Sequence, residues 1–168
     1  MFEIMICSML IIIATIVLFA ISFKHCSEYE IFVVYNKKDG LKPRKIVVPK
    51  GFTFVNPLSD KYAHISLLNN VTFAIKDNIF DENEYEETFE CCVKVCEDKK
   101  YYGNIAENLV GLDRKDIIEL AKNIIKKELK EISRDVMYTD FFNQNNYEKY
   151  FKQINKKLNN VGLELKDI

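Results

Sequence analysis

Glycine and proline are scarce, with five and three residues in a chain of 168. That scarcity excludes a long flexible linker. Histidine is nearly absent: His25 and His64 are the only two, and neither lies in a nucleophile or metal motif. No phosphate loop, no Gly-x-Ser-x-Gly and no dinucleotide fingerprint occurs. Charge of one sign is also lacking. The 24 basic and 25 acidic residues leave a net charge of −1. A nucleic-acid partner needs a basic excess, and none is present. An acidic disordered tail is excluded on the same ground. The five cysteines, Cys7, Cys26, Cys91, Cys92 and Cys96, are odd in number and include an adjacent pair. They do not fit a secreted disulfide framework, so a reduced, cytoplasmic setting is expected.

What the chain does have is one long apolar run. Ile4 to Phe23 carries no charge. Its polar groups, Cys7, Ser8, Thr15 and Ser22, are of the kind that bond back to their own helix. Such a run spans about 30 Å as a helix, the thickness of a hydrocarbon core. A cleaved signal peptide is the competing reading. It requires a basic start and a small-residue cleavage site. The start Met1-Phe2-Glu3 is acidic, and Ala20-Ile21-Ser22 is a faint match. An uncleaved anchor over residues 1–26 is therefore expected, in a cell membrane, crossing it once or entering it shallowly. Lys24, Lys37, Lys38, Lys42, Arg44 and Lys45 follow the run and place the remaining residues, 27–168, in the cytoplasm. Membrane lipids and membrane proteins are the expected partners. Cys26 stands where acylated cysteines occur, although an ordinary free thiol is the simpler expectation.

Beyond the anchor lie roughly 140 residues, the size of one domain. Tyr29–Tyr35 is rich in β-formers, and Asn36-Lys37-Lys38-Asp39-Gly40 reads as a turn. Strands are expected over Arg44–Val48, Gly51–Val55, Ala63–Leu68 and Val71–Ile75, with Asn69-Asn70 as a turn. Thr88–Val95 alternates, with Phe89, Cys91, Val93 and Val95 on one face and Glu90, Cys92, Lys94 and Cys96 on the other. The period then changes. Tyr101–Val110 reads as a short helix. Asp113 caps a long one, with Asp116 at its third position. Ile118, Ala121, Ile125, Leu129, Ile132 and Val136 make its apolar face, widened by Ile117, Leu120 and Ile124. Tyr147, Tyr150, Phe151, Ile154 and Leu158 mark a second amphipathic helix, ended by Val161-Gly162. Leu163–Ile168 returns to strand character. Strands, then helices, then a strand argue for an α+β fold, with helices on one face of a mainly antiparallel sheet.

Three features invite a chemical reading. Cys91, Cys92 and Cys96 are the best thiol cluster. On an extended strand Cys92 and Cys96 stand roughly 13 Å apart, too far to share one metal unless the strand bends. Cys91 points the other way, and free thiols are expected; a thiol-based metal or redox module is the alternative. The run Asp77, Asp81, Glu82, Glu84, Glu86, Glu87 and Glu90 lacks the glycine and spacing of a calcium loop and reads as a solvated loop. Lys122, Lys126, Lys127 and Lys130 form a basic side of the long helix that could meet anionic headgroups, though Glu119, Glu128 and Glu131 dilute it. No catalytic, cofactor-binding or metal residue is assigned, and no enzyme is expected.

Several stretches resemble one family in order and spacing. Glu30–Tyr35 is similar to the opening strand of SPFH/Band 7 (prohibitin homology) domains. Gly51-Phe52-Thr53-Phe54-Val55-Asn56-Pro57 is similar to their Gly-x-x-Phe-Val-x-Pro turn, which comes before a segment holding Ser66-Leu67. Ala106-Glu107-Asn108-Leu109-Val110-Gly111-Leu112-Asp113 resembles the lead into the long helix of the flotillin branch. Ile117 and Ala121 follow in place. Met137-Tyr138-Thr139-Asp140-Phe141 loosely follows the family's Met-Thr-x-Glu-Glu. Gly162-Leu163-Glu164 and Lys166-Asp167-Ile168 resemble its closing elements. The resemblance implies a non-catalytic, membrane-anchored domain that organises membrane proteins or lipid microdomains, or one that regulates a membrane protease. Family members continue into a coiled coil that drives assembly. This chain stops at Ile168, which leaves homo-oligomerisation, and partnership with a longer family member, open.

Overall fold

The computed structural model describes residues 2–38, 40, 42–68, 70–80 and 87–168. They form two compact units, Met1–Ile65 and Ser66–Ile168. Asp39, Asn69, Asp81, Glu82, Glu84 and Glu86 lie outside the described residues, and with them one residue of each expected turn and most of the expected acidic run.

The first unit opens with helix α1, Phe2–Ser22. Its hydroxyls do bond back to the helix. Ser8 Oγ donates to Met5 O at 2.9 Å, Thr15 Oγ1 to Ile11 O at 2.8 Å and Ser22 Oγ to Leu18 O at 2.6 Å. Phe23, expected in the helix, instead starts strand β1 (Phe23–His25). β1 pairs antiparallel with β4 (Phe52–Phe54), and Phe23 faces Phe54. The pairing is what ends the helix, because Val55 N–H donates to Ser22 O at 2.8 Å and takes up a terminal carbonyl.

A second sheet has the order β3-β2-β5, from β2 (Glu30–Asn36), β3 (Pro43–Val47) and β5 (Asp60–Ser66). β2 is central, and Ile31, Phe32, Val33 and Val34 are all buried. A continuous apolar run of this kind is what a central strand requires. Phe32 packs with Cys26, Val34, Val47 and Val55. β5 begins three residues before the sequence places it. Asp60 is the reason: its amide and carboxylate both close back on Asn56 and start the strand at once.

The second unit is a three-stranded antiparallel sheet covered by helices. β6 (Asn70–Asp77) pairs with β7 (Glu87–Val95), which pairs with β8 (Leu163–Asp167). Cross-strand neighbours Val71, Val93 and Leu165 form one inward layer; Ile75 with Phe89, and Val95 with Leu163, form others. All are buried. The opposite face carries Thr72, Lys76, Glu90 and Lys166, which are exposed. One face of this sheet is covered and the other is open, as the alternation in Thr88–Val95 predicts.

A 3-10 turn (Lys99–Tyr101) leads into α2 (Tyr102–Asn108). α3 (Arg114–Ile132) starts with a full capping box: the Asp113 side chain accepts from the Lys115 and Asp116 amides, and Asp116 accepts from the Asp113 amide. Its buried face is Ile117, Ala121, Ile125, Glu128, Leu129 and Ile132. Ile117 leads this face, with Ile118 half-buried beside it. Helix α4 (Tyr138–Phe141), not expected from the sequence, buries Phe141. Four residues carry too little periodicity to read. α5 (Gln144–Asn159) buries Tyr150, Ile154 and Leu158.

The α+β class, the apolar N-terminal helix and the antiparallel pairing are as expected. The strands, however, sort into three small sheets rather than one. β4 is drawn out of any larger sheet because it pairs with the extension of α1, a partner that hydropathy patterning does not reveal.

Candidate functional site

The thiols are the sharpest chemical candidates in the sequence. Cys91 is fully buried in the inward layer of β7, and burial, aided by the Asp167 carboxylate, pushes its thiol up to about 12. Cys92 is half-buried on the opposite face. Cys96 does not join it there. The strand ends at Val95, and the Cys96 amide donates to Gly162 O at 2.9 Å, which turns the side chain inward. Its thiol donates to Asn159 Oδ1 at 3.3 Å and is pushed up to about 12, by burial first and then by the Glu164 carboxylate. The three sulfurs thus occupy different environments. Among the described residues no group of three or more metal-ligating side chains occurs.

Cys26 is 1% exposed, and its thiol donates to Glu30 O at 3.0 Å and Val47 O at 3.7 Å. Burial, then Glu30, raises its pKa above the ordinary 9.0. A raised pKa lowers the thiolate population that an acyl transfer needs. His64 Nδ1 lies 3.2 Å from Glu30 Oε2, and the ring of His25 sits 4.7 Å from that of Phe52.

The acidic and basic stretches partly meet each other. Asp77 lies at the end of β6 with Lys126 Nζ at 2.8 Å and Lys130 Nζ at 3.1 Å from Oδ2. Both ammonium groups are within contact distance of the same carboxylate oxygen, a short ion-pair cluster at the strand end. The lysines, Lys126 first, hold the Asp77 carboxyl below its ordinary value against the opposing effect of burial. Half of the basic side of α3 is therefore engaged within the unit. Glu128, expected on an exposed face, is 2% exposed, with Lys157 Nζ at 3.5 Å and Gln153 Nε2 at 3.4 Å. Only the partner residues on α5, far along the chain, explain a carboxylate there.

The remaining feature is the root of α1. The helix is long and apolar enough to cross a membrane over Met5–Ser22. At its end Phe19, Phe23 and Phe54 make an aromatic cluster with ring centroids 4.9–6.1 Å apart. Phe52, Phe54 and Leu58 are 71%, 48% and 84% exposed. Together they leave an exposed apolar patch at the root of α1. Beside them is an open pocket of about 350 Å³, bounded by Ile21, Lys24, Val55, Pro57, Lys61 and Tyr62 and reaching Asp60. Lys24 Nζ stands 5.4 Å from the centre of the Tyr62 ring. The Asp60 carboxylate is occupied: Arg44 Nη1 at 3.1 Å, Ser59 Oγ at 3.0 Å and the Asn56 amide at 3.1 Å all donate to it. Burial works to raise its pKa, but these donors outweigh it and hold the carboxyl below 3.8. The sequence marks Lys24 only as a topology signal; the pocket needs the pairing of β1 with β4.

Compared with models of known protein families and with curated proteins, the chain matches no family model and no individual protein.

Proposed function

We propose that the protein is a membrane-anchored, non-catalytic domain that holds or organises other membrane components, in the manner implied by its resemblance to SPFH/Band 7 domains. The observation that carries the reading is the junction of α1 with its own unit. An exposed apolar helix of this length needs an apolar solvent. It is tied to the β1/β4 ribbon by the Val55–Ser22 hydrogen bond and by packed rings. Such a helix is a fixed stem for the domain rather than a loosely attached leader. The lysines after it favour a cytoplasmic domain. Function is then positional: the stem sets where the domain's surface acts.

Alkaline extraction of membranes from expressing cells, with the intact mass of the chain, tests the reading. Retention in the membrane with residues 1–26 still present is expected. In mild detergent the protein should travel with other membrane proteins and show no hydrolase turnover. Release into the soluble fraction, loss of the first residues by cleavage, or robust turnover would sink the proposal. A membrane protease as the retained companion would make the protein a regulator of that enzyme.

A further inference from the structure

We propose that the pocket at the root of α1 is a seat for an anionic phospholipid, with Lys24 and Lys61 receiving the phosphate. The proposal rests on the membrane reading above and adds a ligand to it. Three observations on the same unit support it.

The first is depth. Ile21 belongs to the last turn of α1, and Lys24 follows the helix by two residues. If α1 crosses the hydrocarbon core, the pocket opens where the helix leaves it. That is the level of lipid phosphates.

The second is charge. Lys24 and Lys61 bound the pocket, and neither has a carboxylate partner among the described residues. The acid that reaches the pocket, Asp60, already has its charge met by the Arg44 guanidinium. Two lysines without a carboxylate partner among the described residues therefore line the pocket, Lys24 with its ammonium over the Tyr62 ring. They fit a phosphate as point charges, with the free rotation that suits a mobile headgroup.

The third is shape. Ile21, Val55, Pro57 and the Tyr62 ring supply an apolar wall continuous with the surface of α1. Lys37 Nζ donates to Pro57 O at 2.8 Å and Leu58 O at 3.3 Å, which fixes the rim. A volume of about 350 Å³ is at the small end of ligand pockets. It holds a headgroup and glycerol and leaves the acyl chains to run along α1. A soluble phosphate would use the two lysines and leave the apolar wall empty.

The test uses the full chain in non-ionic detergent. It is titrated with short-chain phosphatidylglycerol, short-chain phosphatidylcholine, glycerol phosphate and inorganic phosphate. Bound lipid is read by native mass spectrometry and the melting temperature by circular dichroism. Saturable binding and stabilisation by phosphatidylglycerol are expected, with phosphatidylcholine much weaker and the two soluble phosphates inert at the same concentration. Lys24→Gln/Lys61→Gln should lower the preference for phosphatidylglycerol by roughly tenfold to thirtyfold. The lipid-free melting temperature and resistance to alkaline extraction should not change. Lys152→Gln/Lys156→Gln, on exposed positions of α5, is the charge control and should leave the preference intact. Equal binding of the two lipids, a preference untouched by the first double variant, or equal competition by inorganic phosphate would each overturn the proposal. Release of the wild-type chain by alkali would instead defeat the membrane reading on which it rests.

Discussion

The carboxamide of Asn155 holds the backbone of Leu165 at both of its polar groups. Leu165 N–H donates to Asn155 Oδ1 at 2.7 Å, and Asn155 Nδ2 donates to Leu165 O at 3.1 Å. Leu165 is on β8, the edge strand, opposite Val93. An edge residue with both backbone groups turned outward is an open invitation to another strand. Here a side chain from α5 completes the ladder instead.

Asn155→Ala should therefore destabilise the second unit by about 1–3 kcal/mol, because it strands a donor and an acceptor beside a residue that is almost fully buried. Urea unfolding of the detergent-solubilised chain, followed by far-UV circular dichroism, measures this. Asn155→Gln, one methylene longer, should recover little, since the double bond depends on a fixed reach. A change within about 0.5 kcal/mol for the alanine variant would show that the edge is not held this way.

Gly162→Ala is expected to cost about 2–4 kcal/mol by the same measurement. Gly162 has φ +85°, which costs an L residue about 1–2 kcal/mol. A Cβ there would also stand 2.8 Å from Ile105 Cα, and backbone on a packed helix cannot give way cheaply. An alanine variant as stable as wild type would mean that α2 moves aside freely.

These two residues show what was readable and what was not. Val161-Gly162 ends α5 as its sequence indicates, because a glycine after an amphipathic run is a local signal. Asp113 and Asp116 are equally local, and their capping box is present. The alternation from Phe89 to Val95 predicts its own buried face. Asn155 gives no such sign, since its partner lies ten residues on in a strand whose pairing no short pattern specifies. Glu128 is buried by residues of α5, and Cys96 turns inward where β7 stops. The pocket at the root of α1 depends on β1 finding β4, a contact between segments about thirty residues apart. Periodicity reports how one segment faces a core, and it is silent on which segment supplies that core.

Asp77 should make stability sensitive to acid. Its folded pKa lies below the ordinary 3.8. The stabilisation is therefore fully present above about pH 4 and is lost as pH falls through the lower folded value. Asp77→Asn removes it. Wild type should exceed this variant by roughly 0.5–1 kcal/mol at neutral pH, a modest amount because both lysines are partly exposed. The gap should close below pH 4 and shrink in high salt. A gap that persists unchanged at pH 2 would assign the effect to packing rather than charge.

Thiol labelling distinguishes the environments of the cysteines and bears on acylation. Cys91 and Cys96, pushed up to about 12, carry about a thousandfold less thiolate at neutral pH than a thiol at 9.0. Both are also closed to reagent, as is Cys26. Maleimide added to the folded chain should therefore modify Cys92 first among the four thiols beyond α1, with Cys26, Cys91 and Cys96 reacting only after denaturation. Peptide mapping by mass spectrometry reads the order. Rapid labelling of Cys26 in the folded chain would show that its site opens easily, and an acyl group there would become reasonable. Joint protection of Cys91, Cys92 and Cys96 that is lost on adding a chelator would point to a bound metal and to the thiol reading. Cys92 alone reacting fits neither, because this half-buried thiol on the open face of the sheet belongs to no group of three metal-ligating side chains among the described residues.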